Sequence, residues 1–337
     1  MHDTTNRPSS SRHSSSRRAL IAALLAAFAT TGVATSASAQ NWPTRPIRLV
    51  VGYSAGGGVD AVARLVAPRL SELLGQQVVV DNRTGAAGLI AGDTVARAAP
   101  DGYTLMLGDS SLLIAQYLKP QMSFDPIKAF TPVAGLFTLP LVIVTGNDFP
   151  AKTPAEFVAL LKKNPGRYSY ATSGVGTVHH LGFEMLKGQT GSFVLHIPYR
   201  GAAQIVPDVM SGQVPIGVVS AASAIAQARA GKLRALAVMN PVKLQGGEDI
   251  APLSDALPGF SAVPRLYVLA PAGTPAPIVE QLSDALRKVM EAPDLAQAAA
   301  HQGAVPAYMP AGPLAADVVR ESAAWGKVIR EQKITAQ

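Results

Sequence analysis

Cysteine is missing from all 337 residues, which excludes disulfides and thiolate metal sites. Such a chain can enter an oxidising compartment without redox chemistry of its own. Aromatic residues make up only 6% and charged residues 15%. Nowhere do Lys and Arg form a dense stripe interleaved with aromatics, so no nucleic-acid partner is expected. After the first forty residues no apolar run reaches the roughly 20 residues needed to cross a bilayer.

What the N-terminus does have is a leader. Residues 1–18 are polar and end in Arg17-Arg18, an apolar or small run extends from Ala19 to about Ala34, and Ala37-Ser38-Ala39 closes it. A basic segment, a short apolar segment and an A-x-A site make a secretory signal peptide, with cleavage expected after Ala39. Ser16-Arg17-Arg18 resembles the start of a twin-arginine signal, so both export routes stay open. The alternative, an uncleaved anchor, is opposed by the A-x-A site. Four Arg and one Asp fall in the leader, leaving 25 basic against 21 acidic residues, a net charge of +4. That mild excess suits a small anion more than a polyanion.

The mature length fits two α/β lobes with mainly parallel sheets. Strands are expected at Ile47–Val51, Gln77–Val80, Tyr103–Leu107, Leu141–Thr145, Tyr168–Ala171, Val194–Ile197, Pro215–Ser220 and Leu233–Met239. A helix after Gly56-Gly57-Gly58 carries Val59, Val62, Val66, Leu70 and Leu73 at steps of three and four, with a kink expected at Pro68. Thr153, Pro154 and Glu156 spell a capping box, and Thr274-Pro275 repeats the Thr-Pro start before the amphipathic stretch Ile278–Met290. The expected division is a first lobe from 40–141 plus 239–337 and a second from 142–238.

Four turns repeat one theme, a strand end followed by small or hydroxyl residues and a helix start. They are Tyr53-Ser54-Ala55-Gly56-Gly57-Gly58, Asp109-Ser110-Ser111, Ser173-Gly174-Val175-Gly176-Thr177 and Tyr199-Arg200-Gly201. In an open α/β sheet such turns gather at the carboxyl ends of the strands, where ligands bind. Exposed amides at helix starts favour an anion. Candidate ligand contacts are therefore Tyr53, Ser54, Ala55, Gly56, Gly57, Ser110, Ser173, Thr177, Tyr199 and Arg200, the last supplying the fixed charge. Against this stands a plainer role, in which Ser173 or Thr177 simply caps the next helix. Asp60 is expected to serve the helix dipole, and His196 to pack within its strand. Adjacent His179 and His180 lack the i, i+4 spacing of a helical metal pair, so no metal or cofactor is expected.

Two enzymatic alternatives remain. Gly56-x-Gly58-x-x-Ala61 followed by Asp81 has the outline of a dinucleotide fingerprint, although its turn is loose and an exported protein meets little nicotinamide cofactor. A Ser173–His180–Asp208 triad can be drawn, but no G-x-S-x-G elbow supports it.

Across the mature chain the sequence resembles the Bug-type receptors of tripartite tricarboxylate transporters. The matching stretches include Trp42-Pro43-x-Arg45-Pro46-Ile47, Gly56-Gly57-x-x-Asp60-x-x-Ala63-Arg64 and Pro100-Asp101-Gly102-Tyr103-Thr104-Leu105. They continue with Ser173-Gly174-Val175-Gly176-Thr177-x-x-His180-Leu181, His196-x-Pro198-Tyr199-x-Gly201 and Ala270-Pro271-Ala272-Gly273-Thr274-Pro275. The resemblance implies a two-lobed periplasmic-binding-protein fold with two crossing hinge segments and a ligand cleft between the lobes. It implies a monomeric, non-catalytic periplasmic receptor that captures a small mono- or dicarboxylate for integral membrane transporter subunits. A ligand-sensing role beside a signalling protein is the alternative. Where many members carry an Asp that recognises an amino group, this chain has Val219, and Arg265 replaces an expected Trp. On that alignment an amino-acid ligand is disfavoured, and Arg265 would favour a second carboxylate if it reaches the cleft.

Overall fold

The computed structural model describes residues 1–2, 42–119, 121–199, 202–241, 244 and 246–335. Apart from its first two residues the expected leader lies outside this set, as do Arg200 and Gly201 of the fourth turn. Residues 43–337 form one compact unit.

Along the chain, β1 (Ile47–Val51), α1 (Gly58–Leu74), β2 (Val78–Asn82), α2 (Leu89–Ala96), β3 (Thr104–Asp109), α3 (Ser110–Leu118) and β4 (Phe130–Thr138) come first. Then follow β5 (Leu141–Thr145), α4 (Pro154–Lys163), β6 (Ser169–Thr172), α5 (Val178–Thr190), β7 (Leu195–Pro198), α6 (Ala202–Met210), β8 (Ile216–Ser220), α7 (Ala221–Arg229) and β9 (Arg234–Val238). The last stretch holds β10 (Arg265–Pro271), α8 (Ala276–Met290), α9 (Leu295–His301), β11 (Val305–Pro310) and α10 (Ala311–Glu331). One sheet has the order β11-β4-β10-β3-β1-β2, the other β7-β6-β8-β5-β9.

The sheets are mixed rather than mainly parallel, which corrects the sequence expectation. β1 pairs in parallel with β2 and β3, and β6 with β7 and β8. β10 is antiparallel to β3 and β4, and β5 to β8 and β9. A parallel neighbour needs a crossover of a dozen residues or more, usually a helix. No helix separates β4 from β5, so β5 enters the second sheet against the helix-linked strands.

Helix α1 buries Val59, Val62, Val66 and Leu70 as its spacing predicts, whereas Leu73 is 47% exposed. It continues through Pro68. Half of the capping box forms as expected: Thr153 Oγ1 accepts from the Glu156 amide at 3.2 Å, whereas Glu156 reaches past the cap residue to accept from the Lys152 amide at 2.7 Å. The second Thr-Pro start differs. Pro275 is the N-cap of α8, and the Thr274 hydroxyl donates to the Pro271 carbonyl instead. One core cluster joins Leu141, Phe157, Tyr170 and Leu181 to Ile114 and Leu118 of α3 and to Trp325 and Ile329 of α10. Two helices that pack together beside the first sheet thus also close the core of the second. Among the described residues no helix is long and apolar enough to cross a membrane.

Candidate functional site

The first three turns lie at strand ends as expected and Tyr199 of the fourth follows β7, but the helix starts differ in what already fills them. At α3 the chain supplies its own anions. Asp109 caps the helix by accepting from the Ser111 amide at 3.1 Å, and Tyr53 Oη donates to the same carboxylate at 2.8 Å. Ser110 is buried, donates to Glu321 of α10, and accepts from the Arg265 amide at 3.0 Å. Burial pushes Asp109 up to about 6 and also raises Glu321. The Ser110 hydroxyl is therefore engaged within the chain.

At α5, Thr177 is the cap. Its hydroxyl donates to the Gly174 carbonyl at 2.8 Å and accepts from the His180 amide at 3.4 Å. Half-buried Ser173 makes no hydrogen bond to another described residue. Beneath this loop His180 stacks on His196 with centroids 4.1 Å apart, and His196 stacks on Tyr170 at 4.9 Å. The Gly176 amide donates to His180 Nδ1 at 3.3 Å, so the neutral ring keeps its proton on Nε2. Burial holds His180 down at about 4 and His196 at about 3. His196 is thus a packed strand residue, and His180 serves the loop backbone. The half-buried Tyr199 is also engaged, its hydroxyl donating to Asp208 on α6. Asp208 is thereby committed to Tyr199, away from any triad.

The starts of α1 and α7 are different. Gly57 and Ser220 are their N-caps, and neither helix has a side-chain cap. They face each other across the two sheets, since a Cβ added at Gly58 would lie 3.8 Å from the Ser220 Cβ. A second bridge runs between Gly176 and Leu118 of α3, at 3.2 Å by the same measure. Two helix starts without a side-chain cap lie side by side, and the positive dipole ends of helices favour an anion there. Ser54, Ala55 and Gly56 are exposed on this turn. Its backbone is braced by Asp60, which accepts from the Gly56 amide at 2.8 Å and from Asn82 Nδ2 at 2.9 Å. Although burial opposes it, these bonds and Arg64 hold Asp60 below the ordinary carboxylate range.

Three sequence inferences change here. Val219 is fully buried in the second-sheet core, so it cannot meet a ligand, and the next residue, Ser220, holds the rim. Arg265 is paired with Asp317 and lies 3.8 Å from Glu321, so its charge is answered within the chain. Asp81 is bound by Arg48 and Arg83 instead of standing open for a ribose. Ser220 went unmarked in the sequence because Ile216–Val219 reads as a strand and no glycine follows it. Two surface cavities, of about 450 Å³ between α1 and α8 and about 310 Å³ between α7 and α9, are not lined by the expected contacts. Among the described residues no group of His, Asp or Glu is arranged to hold a metal.

Comparison with known proteins adds a family. Over residues 62–334 the sequence matches the family described as "Tripartite tricarboxylate transporter family receptor". The Rhodopseudomonas palustris protein Rpa4515, solved with adipate, superposes with a TM-score of 0.83 at 30% identity, covering 88% of this chain and 99% of its own. The periplasmic binding protein BugD superposes at 0.80 and 30% identity, covering 88% and 100%. MatC of R. palustris, solved with bound malate, superposes at 0.77 and 30% identity, covering 86% and 100%.

Proposed function

The chain belongs to the tripartite tricarboxylate transporter receptor family, and on that premise we propose that it captures a small mono- or dicarboxylate in a cleft between two lobes. The observation that carries this is the pair of uncapped helix starts at Gly57 and Ser220 facing one another. Adipate and malate on structural relatives support the carboxylate class. The lobes are 40–141 plus 239–337 and 142–238, a division supported by strand membership, since β5–β9 make up one sheet and the other strands the second. Export through cleavage after Ala39, a monomeric state, and delivery to integral membrane transporter subunits complete the proposal.

The ligand's carboxylate is assigned to the Tyr53–Gly57 turn, Ser173 and Arg200, with Tyr199 walling the site. Thr177 acts mainly through its loop, and Ser110 contributes only if a ligand displaces Glu321. A micromolar ligand needs about −8 kcal/mol, within reach of one fixed charge and several oriented donors in a dry cleft. Calorimetric titration with malate and adipate tests this. Arg200→Ala is expected to cost roughly 1.5–3 kcal/mol and Ser54→Ala about 1. Equal losses would show Arg200 pointing away from the ligand. Stabilisation by neutral sugars and by no organic acid would overturn the carboxylate assignment.

A further inference from the structure

Helices α1 and α5 end at Gly75 and Gly191, both left-handed at φ +65, and α9 ends at Gln302 followed by Gly303, left-handed at φ +66. A cap explains all three. Only Gly303 also has a neighbour. An added Cβ at Gly75 or Gly191 would meet nothing within 4 Å. At Gly303 it would lie 2.9 Å from the Ala222 Cβ and 3.1 Å from its Cα, with the Ala222 amide nitrogen closer still. Gly303 stands between α9 and β11 of the first sheet, whereas Ala222 is in the first turn of α7, two residues after Ser220. The contact is therefore backbone against backbone across the two sheets, with no side chain able to yield. Beside it α7 and α9 stand apart around the cavity of about 310 Å³ lined by Ile225, Arg229, Gln297 and His301. The approach is thus borne locally by Gly303.

We infer that Gly303 and Ala222 form the stop that sets how far the lobes close, which rests on the receptor function proposed above. By fixing the place of the α7 start relative to α1, the stop fixes the width of the space between Gly58 and Ser220. One extra methyl there holds the lobes apart and speeds ligand loss.

The cysteine-free sequence makes the test direct. Glu72→Cys and Lys162→Cys, both exposed and on helices of opposite sheets, carry a dye pair for single-molecule distance measurement, with and without malate. The parent is expected to show a short-distance population. Gly303→Ala should deplete it and weaken malate binding at least tenfold. Gly75→Ala, with the same backbone strain and no contact, should leave both unchanged. Ala222→Leu should reproduce the shift from the other lobe, and it carries the test if Gly303→Ala does not fold. Distance distributions identical in the parent, Gly303→Ala and Ala222→Leu overturn the stop. Failure of malate to bind while the distances still shift would count against the ligand class and leave the stop standing.

Discussion

Asp109 sits where burial and function pull in opposite directions. The carboxylate caps α3 and receives the Tyr53 hydroxyl, yet burial raises it to about 6 against 3.8 for an ordinary aspartate. The native state therefore binds this proton more tightly than the unfolded chain. The stability it contributes is complete below about pH 4 and is lost as pH rises through 6, by about 3 kcal/mol. Asp109→Asn keeps an oxygen for the Ser111 amide and is expected to flatten that fall in urea unfolding from pH 4 to 7. An unchanged slope would assign the titration elsewhere. His180 and His196 have the opposite sign. Their lowered values mean the unfolded chain binds protons first, so stability falls as pH drops from about 6.5 toward 4. His196→Gln should make the acid limb of that curve shallower, as read by denaturation at pH 7 and pH 4.5. None of this is legible in the sequence, where Asp109 is one strand-end carboxylate among several and its bonding partner Tyr53 lies 56 residues away.

At the scale of elements, α5 shows how a cap and a ligand contact are told apart. Thr177 serves both the Gly174 carbonyl and the His180 amide. Thr177→Ala is expected to cost about 1 kcal/mol of stability without any ligand, and Thr177→Ser to recover it. A hydroxyl reserved for ligand would leave the unliganded protein unaffected. The local code was readable at such places. Strands β1 and β5 match their expected bounds, and Thr153 caps α4 as its spacing to Glu156 requires. Strands β4, β10 and β11 carried no comparable mark. Their apolar alternation is broken by Pro132, Gly135, Pro271, Pro306 and Pro310, and their pairing shows register shifts. Such strands exist because neighbours hold them, and neighbours are not local information.

For the molecule as a whole, α10 is the tie between sheets. It packs beside α3 and β4, and its Trp325 and Ile329 enter the core cluster of the second sheet. Trp325→Ala is expected to cost 3–5 kcal/mol, since a buried indole leaves a cavity that the helix cannot fill. Unfolding by far-ultraviolet circular dichroism checks this. A loss below about 1 kcal/mol would mean that α10 is held by the first sheet alone.

The sequence by itself determined an α/β chain with short buried strands and with glycine or hydroxyl turns at the strand ends. Each of these depends on residues within a few positions of one another. Only the tertiary structure decided which turns are open. Glu321 fills one, Thr177 closes another, Asp208 engages the Tyr199 hydroxyl, and the Gly57 and Ser220 starts have no side-chain cap and face each other. Whether a helix start is capped depends on which side chains reach it, and that depends on where distant segments pack.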